Sequence, residues 1–202
     1  MKVLPILLLL IPSMLSVSDK EWTLKKEKDG IVIYSRPSNC SKFNDLRIEM
    51  DVHGDLSQLA AILLDVESYP QWAYATKSAT AVKKLGTNEL IYYSEIEAPW
   101  PACNRDFYAS LKVCFNTTTH SMNAVSTSMK DYQPEKKNLV RIPQSCATWN
   151  VTTLSDKMIH VQYTLQVDPG GSIPSWILNM FATKGPLETF GNLKKKIEAL
   201  NP

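Results

Sequence analysis

The sequence predicts an α+β domain in which a curved antiparallel β-sheet wraps around one long C-terminal helix and leaves an internal apolar cavity. Two observations support this prediction. Apolar and polar residues alternate along many short segments that are joined mostly by connections of hairpin length, as in antiparallel strands. After residue 172 the apolar residues recur at helical spacing instead. A sheet with one apolar face and a helix with a wide apolar stripe must cover each other.

The first third of the chain predicts two strands followed by a short helical region. Asp55 is a favourable N-cap residue for a helix whose apolar residues recur three and four apart as far as Leu64. The predicted elements are a charged amphipathic start at 21–28, strands at 31–36 and 43–52, a helix at 55–64 and a short helical piece from residue 71.

The middle of the chain predicts a series of antiparallel strands without a domain boundary. The polar stretch 129–138 is interpreted as a loop, because no internal repeat or low-complexity tract separates its two sides. The predicted strands lie near 78–84, 89–97, 106–116, 121–129, 147–154 and 159–167.

The junction between the last strand and the terminal helix is the most informative stretch. Asp168-Pro169-Gly170-Gly171 interrupts the strand, because proline lacks a backbone donor and glycine accepts a positive φ. Ser172 is a suitable cap for a helix that starts near Ile173 and Pro174. The apolar stripe of that helix comprises Trp176, Ile177, Met180, Phe181, Leu187, Phe190, Leu193 and Ile197.

The charge of the chain gives no reason to expect a nucleic-acid partner. The 22 basic and 20 acidic residues leave a net charge of +2, and no run of like charge exceeds a few residues. Lys194-Lys195-Lys196 are interpreted as the solvated face of the terminal helix, with contact at an anionic membrane surface as the alternative. The histidines have no metal-ligand spacing, and the chain has no phosphate loop, dinucleotide fingerprint or nucleophile elbow. We therefore expect neither a metal nor a cofactor.

Residues 1–18 have the composition of a secretory signal peptide. Lys2 supplies the positive charge, residues 3–15 are apolar, and Ser16-Val17-Ser18 offers the small residues that a signal peptidase recognises. A retained membrane anchor is the alternative, although the apolar run is short for a span and contains two prolines. We expect an exported protein, periplasmic or secreted after cleavage, with a single domain at 19–202.

Four cysteines leave the redox chemistry open. In an exported protein an even number of cysteines permits two disulfides with three possible connectivities. Free, buried or half-buried thiols are the alternative, and the spacings match no zinc pattern. The cysteines are Cys40, Cys103, Cys114 and Cys146.

Four segments, in order along the chain, resemble a known family. They are Trp22 with Gly30–Arg36, Val66–Trp72, Pro99-Trp100-Pro101 with Asn104–Phe107, and Asp168–Pro174 with Trp176 and Asn179. Together they resemble a START domain, the lipid-transfer branch of the helix-grip (Bet v 1-like) superfamily, over nearly all of the chain after the signal segment. The first segment resembles the opening helix and first strand of that family, and the last resembles its final strand-to-helix junction. The resemblance implies the helix-grip fold.

The resemblance also implies that the protein binds or transfers one hydrophobic molecule between the sheet and the terminal helix. Burial there of a lipid tail releases ~0.8 kcal/mol per methylene. In sterol-binding members of the family an arginine lies in the cavity six residues after the motif arginine, and Leu111 occupies that position here. The resemblance therefore favours a fatty acid, a neutral lipid or another apolar metabolite over cholesterol. A monomer that contacts membranes transiently is expected.

The cavity walls are predicted from the inward faces of the strands and the helix. Arg105 is either a contact to a lipid headgroup or one half of an ion pair with Asp106 that fixes the start of a strand. Glu95 is either a cavity acid or a solvated strand residue. The predicted ligand-binding residues are Tyr92, Glu95, Arg105, Leu111, Met122, Trp149, Tyr163, Leu165, Trp176, Ile177, Met180, Phe181 and Phe190.

Two other functions stay open on the sequence alone. Polyketide cyclases and aromatases share the helix-grip fold and shape a substrate with few diagnostic residues, so the absence of catalytic motifs does not exclude them. A secreted interaction module with a vestigial cavity is the third possibility.

Overall fold

One large sheet and three helices form the structure of the described residues, 21–39 and 41–200, in this computed structural model. The helices are α1 (Leu56–Leu64), α2 (Tyr69–Trp72) and α3 (Ser175–Glu198), and a 3-10 turn (Val66–Ser68) joins the first two. The strands are β1 (Thr23–Lys28), β2 (Ile31–Pro37), β3 (Asn44–His53), β4 (Thr76–Gly86), β5 (Glu89–Ile96), β6 (Arg105–Asn116), β7 (Ser121–Ser128), β8 (Val140–Arg141), β9 (Gln144–Ser155) and β10 (Met158–Asp168).

The sheet follows the order β1-β2-β3-β10-β9-β7-β6-β5-β4, and all neighbours on this path are antiparallel. The last strand, β10, therefore joins the N-terminal hairpins to the remainder of the sheet. β8 adds a short parallel pairing at the start of β6. α3 packs on β1, β2 and β3 and on α2. The predicted α+β fold, an antiparallel sheet with a long terminal helix, is confirmed.

The alternation seen in the sequence separates a buried from an exposed face of the sheet. In β3 every second residue from Leu46 to Val52 is buried, and in β10 Ile159 and Val161 are fully buried. Further along β10, Tyr163 and Leu165 are only half-buried although they continue the same face. The sheet is thus closely packed at one end and open at the other.

The start of α1 is fixed by a capping box. The Asp55 carboxylate accepts a hydrogen bond from the backbone N–H of Gln58 (2.9 Å), and the Gln58 side chain accepts one from the backbone N–H of Asp55 (3.0 Å). The predicted helix at 55–64 is confirmed. In α2, Pro70 occupies the first turn, where its missing N–H leaves no helical bond unmade.

The junction before α3 differs from the prediction in its cap. The helix begins at Ser175 with Pro174 as its N-cap residue, so Ser172 does not cap it. The carbonyl of Ser172 instead accepts a hydrogen bond from Arg105 Nη2 (3.3 Å). Gly170 has a φ of +68°, and a Cβ there would lie 2.9 Å from the Arg141 carbonyl oxygen. Glycine is therefore required for the turn to pass this close to β8.

Two further predictions for local structure were wrong or incomplete. Residues 23–28 form the edge strand β1 and pair with β2, where the family resemblance implied an opening helix. β8 follows the predicted polar loop and was not foreseen, because two residues are too short to show a period.

A buried ion pair joins β6 to β8 on the outer face of the sheet. Arg141 Nε lies 2.8 Å from Asp106 Oδ1 and Arg141 Nη2 lies 3.0 Å from Asp106 Oδ2, with both side chains 1% exposed. The same guanidinium donates to the carbonyls of Lys130, Gln133 and Pro134. The hydrogen bonds to Asp106 raise the pKa of Arg141. Asp106 therefore pairs across the sheet with Arg141, and the predicted ion pair with Arg105 was wrong.

The two edges of the sheet, as described, carry lysines and irregular pairing. All six residues of β1 are exposed, and three of them are lysines. A bulge interrupts β1 between Leu24 and Lys26, and β4 contains three register shifts.

Several sequence predictions fall on residues outside the described part of the chain. The signal segment 1–18 and Cys40 are among them. Cys103 and Cys114 are exposed free thiols and Cys146 is a half-buried one. In the part of the chain that the structure describes, no helix combines the length and apolar character that crossing a bilayer requires.

The Asp106–Arg141 pair gives a testable prediction for stability. Replacing Arg141→Met leaves a buried carboxylate without its cation, which is expected to lower the free energy of unfolding by about 3–5 kcal/mol. Lys112→Met is the matched control, because the ion pair of Lys112 with Glu89 is exposed and is worth less than about 1 kcal/mol. Urea denaturation followed by circular dichroism measures both. Equal losses in the two variants would contradict a stabilising role for the buried pair.

Candidate ligand cavity

An apolar cavity of about 240 Å³ lies between the sheet and α3. Its walls come from β3, β4, β5, β6, β7, β9 and β10, from α1, α2 and the segment that follows, and from α3. The cavity occupies the end of the sheet at which Tyr163 and Leu165 are half-buried. Its position between the sheet and the terminal helix matches the position predicted from the sequence.

Three aromatic rings hold α3 away from the sheet at the inner end of the cavity. The ring of Trp149 in β9 lies 4.6 Å from that of Tyr163 in β10 and 5.5 Å from that of Phe190 in α3, and Tyr163 and Phe190 are 5.3 Å apart. Beyond Phe190, Leu193 and Ile197 are fully buried in the core. The C-terminal part of α3 therefore packs directly on the sheet, while the part before Phe190 stands over the cavity.

The polar groups of the cavity are uncharged. None of the described residues that line it is Lys, Arg, His, Asp or Glu. The hydroxyls of Tyr92 and Ser126 form a hydrogen bond of 2.9 Å with each other. The Tyr69 hydroxyl donates to the Leu63 carbonyl (2.6 Å). Nε1 of Trp72, which is 5% exposed, is buried without a hydrogen-bond partner.

Burial keeps three tyrosines of the cavity, Tyr69, Tyr92 and Tyr163, protonated. Desolvation raises the pKa of Tyr92 to about 12, although the hydrogen bond with Ser126 acts in the opposite direction. Desolvation also raises the pKa of Tyr69 and of Tyr163 well above the ordinary value. At neutral pH these residues offer neutral hydroxyl groups and no phenolate that could serve as a base.

A larger groove of about 710 Å³ adjoins the cavity and opens to solvent. The segment 72–76 lines both spaces, so it forms the wall between them. On the outer side the groove is bounded by Trp100, 88% exposed, and by Met180 of α3. Trp176 lies one turn before Met180 and is 53% exposed.

The wall between the two spaces is fastened to α3. The backbone N–H of Tyr74 donates to Thr189 Oγ1 (3.0 Å), and the Tyr74 ring meets Phe181 edge-on at 5.7 Å. A Cβ on Gly185 would lie 3.1 Å from the Tyr74 ring, so a larger residue there would require that ring to shift. Pro186 follows inside the helix and cannot donate a backbone hydrogen bond there. The wall thus meets α3 where the hydrogen-bond ladder of the helix is interrupted.

Seven of the thirteen predicted ligand-binding residues line the cavity. An eighth, Met180, lines the adjoining groove instead. The seven are Tyr92, Leu111, Trp149, Tyr163, Leu165, Phe181 and Phe190. Their contact with a ligand stays a prediction.

Two of the remaining predicted residues are charged and lie outside the cavity. Glu95 lies on the outer face of β5. Side chains alternate between the two faces of a strand, and Tyr92, three residues earlier, faces the cavity. Lys77 Nζ lies 2.9 Å from Glu95 Oε1, and the side-chain amide of Asn104 donates to the same oxygen (3.0 Å). These contacts lower the pKa of Glu95. Arg105 is buried beyond the end of the cavity and donates to the carbonyls of Cys103 and Ser172.

Three apolar predictions also lie outside the cavity. Met122 is fully buried in the core at the closely packed end of the sheet. Ile177 is buried but does not line the cavity. Trp176 lies in the first turn of α3 and is half-exposed.

Several cavity residues were not predicted. Trp72 and Tyr69 were recognised only as parts of a turn motif, although both line the cavity. Phe107 belongs to the apolar face of β6, and that alternation could have identified it. Ser126 lines the cavity from β7, and no feature of the sequence distinguishes it from an exposed serine.

Comparison with known proteins agrees with this architecture. The family model described as "START domain" matches residues 11–200. The chain belongs to the START domain family. An uncharacterized protein of Pseudomonas aeruginosa is 30% identical over 182 residues, which cover 89% of this chain and 88% of that protein.

Two further relatives have descriptive names. The mouse phosphatidylcholine transfer protein is 25% identical over 175 residues, which cover 84% of this chain and 80% of that protein. The crystal structure of a STAR-related lipid transfer protein from Xanthomonas axonopodis superposes with a TM-score of 0.79 at 26% identity, covering 88% of this START domain chain and 98% of that chain.

The buried tyrosines predict a loss of stability at alkaline pH. Tyrosine titrates near 10 in an unfolded chain and Tyr92 at about 12 in the fold, so the unfolded state gives up its proton first. The contribution of Tyr92 to the free energy of unfolding should be constant below pH 10. It should fall by up to about 3 kcal/mol by pH 12. Thermal melts at pH 8 to 12 measure this slope. Tyr92→Phe should reduce the slope, whereas Tyr34→Phe on the outer face should retain it; a slope unchanged in Tyr92→Phe would contradict the assignment.

Proposed function

We propose that this START domain binds one apolar molecule in the cavity and transports it without altering it chemically. The observation that supports this most directly is the cavity itself, which has apolar walls, lies under α3 and adjoins an open groove. Each methylene that leaves water for such a site contributes ~0.8 kcal/mol. The names of the mouse and Xanthomonas relatives, both described as lipid transfer proteins, agree with this function.

The residues of the cavity favour binding over catalysis. A general base or a nucleophile needs an ionisable group close to the reacting atoms. The polar side chains among the described lining residues provide only neutral hydroxyls and the indole N–H groups of two tryptophans. Within residues 21–39 and 41–200, no three histidine, cysteine, aspartate or glutamate side chains come close enough together to hold a metal ion.

Exchange of the ligand requires α3 or the wall at 72–76 to move. Ligand pockets commonly measure about 300–1,000 Å³, so a cavity of about 240 Å³ is smaller than a typical ligand site and must widen to admit a whole lipid. Opening would separate Tyr74 from Thr189 and Phe181 and would join the cavity to the groove. The interruption at Gly185-Pro186 is the natural place for α3 to bend.

We further propose that Trp100 and Trp176 dock this opening on a membrane. Both side chains are exposed near the groove, and tryptophan favours the interface between water and lipid. The charges at the groove are mixed, since Glu97 and Glu188 line it and Lys184 lies 3.5 Å from Glu188. Docking should therefore depend little on anionic lipid.

Export of the protein remains a proposal that rests on residues 1–18. Their positive N-terminus, apolar segment and small residues suit a signal peptide, and a periplasmic or secreted monomer follows from that interpretation. Sequencing the N-terminus of the protein purified from its source would test it, and a chain that begins at residue 1 would contradict it.

Native mass spectrometry of the purified protein, followed by organic extraction, tests the transport function. One apolar molecule per chain is expected. Ala147→Phe fills the cavity from β9 and should reduce the bound fraction at least about tenfold. Thr152→Phe, at an exposed position on the opposite face of the same strand, should leave binding unchanged. A protein that is empty and takes up no fluorescent lipid would overturn the proposal.

Sedimentation with zwitterionic vesicles tests membrane docking. The double replacement Trp100→Ala and Trp176→Ala should reduce the bound fraction several-fold, because it removes both exposed aromatic rings from the rim. Phe115→Ala is the control, since Phe115 is similarly exposed near the opposite end of β6. An equal loss in the control, or binding that requires anionic lipid, would contradict docking through the tryptophans.

A further inference from the structure

We infer that the cavity selects an uncharged, single-chain lipid whose polar end presents an ester or other carbonyl oxygen. This inference rests on the proposed function and specifies its ligand class. Three observations support it: the absence of charge from the described lining, a buried indole N–H that has no partner, and the small volume of the cavity.

The charged groups near the cavity do not line it. Glu95 faces away from it and binds Lys77, and Asp106 is enclosed with Arg141 on the outer face. Arg105 is the one charged residue among the inward positions of β6; its Nη1 and Nη2 donate to backbone carbonyls, its Nε has no partner, and the residue does not line the cavity. A phosphate or carboxylate drawn into the cavity would lose its hydration without gaining a counter-ion.

Among the residues that line the cavity, Trp72 carries a buried donor without a partner, its indole N–H. An indole nitrogen can only donate a hydrogen bond, and a buried donor that has no acceptor destabilises the protein. The Tyr92 and Ser126 hydroxyls share one hydrogen between their own oxygens, so the other hydrogen of the pair is also available to donate. A carbonyl oxygen of a ligand accepts from either group, whereas a pure hydrocarbon satisfies neither.

The small volume of the cavity favours a lipid with one acyl chain over a lipid with two. A cavity of about 240 Å³ has room for roughly eight groups of the size of water, at ~30 Å³ each. The polar end and a short part of one acyl chain fill it, and the remainder of the chain can follow the wall at 72–76 into the groove.

The experiment measures displacement of N-phenyl-1-naphthylamine, an uncharged fluorescent probe, from the purified protein at pH 8. Four competitors share a twelve-carbon chain: methyl dodecanoate, dodecane, dodecanoate and dodecylphosphocholine. Each is used below its micelle-forming concentration. Methyl dodecanoate should displace the probe at least about tenfold more strongly than either charged compound, and several-fold more strongly than dodecane.

Matched variants assign the selectivity to residues. Trp72→Phe keeps an aromatic ring but removes the N–H, so it should abolish most of the preference for the ester over dodecane while probe binding persists. Trp22→Phe is the control, because it makes the same replacement at a tryptophan that lies against Arg36, outside the cavity lining. It should retain the preference. Melting curves verify that both variants fold.

Each outcome bears on one proposal. If the probe binds but dodecanoate or dodecylphosphocholine competes as well as the ester, the selection of uncharged lipids is overturned while the transport function stands. Loss of that competition in Arg105→Gln would identify Arg105 as the group that binds the charge. Equal competition by the ester and dodecane would overturn the role of Trp72. If neither the probe nor any competitor binds, the proposed function itself fails.

Discussion

The contact among Trp149, Tyr163 and Phe190 marks the boundary between the closely packed core and the cavity. These rings lie between α3 and the sheet, and beyond them Leu193 and Ile197 of the helix pack in the hydrophobic core. Close packing is the default of protein interiors, so a void persists only where rigid groups prevent collapse. Aromatic rings suit this role because they are large and have few rotamers. The cavity is thus a consequence of how the helix is supported.

Charge is separated across the sheet. The inner face carries tyrosines, two serines and a tryptophan around the cavity, while Asp106, Arg141, Glu95 and Lys77 make their pairs on the outer face. Because a strand alternates its side chains, neighbours such as Asp106 and Phe107 can serve stability and binding separately. The loop held by Arg141 covers the ion pair, which explains how a charged pair can be fully enclosed outside the apolar core.

Alternation and helical spacing were sufficient to predict the strands, the helix at 55–64 and wall residues such as Leu111 and Leu165. Each of these depends on local sequence and on one buried face. Glu95 was wrongly included among the cavity residues. It lies three residues after Tyr92 in the same strand, and residues an odd number apart point to opposite faces of a sheet. The partner of Asp106 could not be predicted, since Arg141 lies 35 residues away and reaches it through a two-residue strand. Trp176 continues the apolar stripe of α3, but a stripe does not show where the surface beneath it ends.

The edges of the sheet have a consequence for a molecule that handles apolar cargo. β1 and β4 end the sheet, as described, with lysines and bulges along backbones that could otherwise pair with another chain. Charged and irregular edges oppose such pairing. The same chain can therefore present tryptophans and an apolar groove to its surroundings while its strands resist adding to one another. The charged and irregular edge strands β1 and β4 therefore disfavour assembly into fibrils, and the exposed apolar surface remains available to bind lipid.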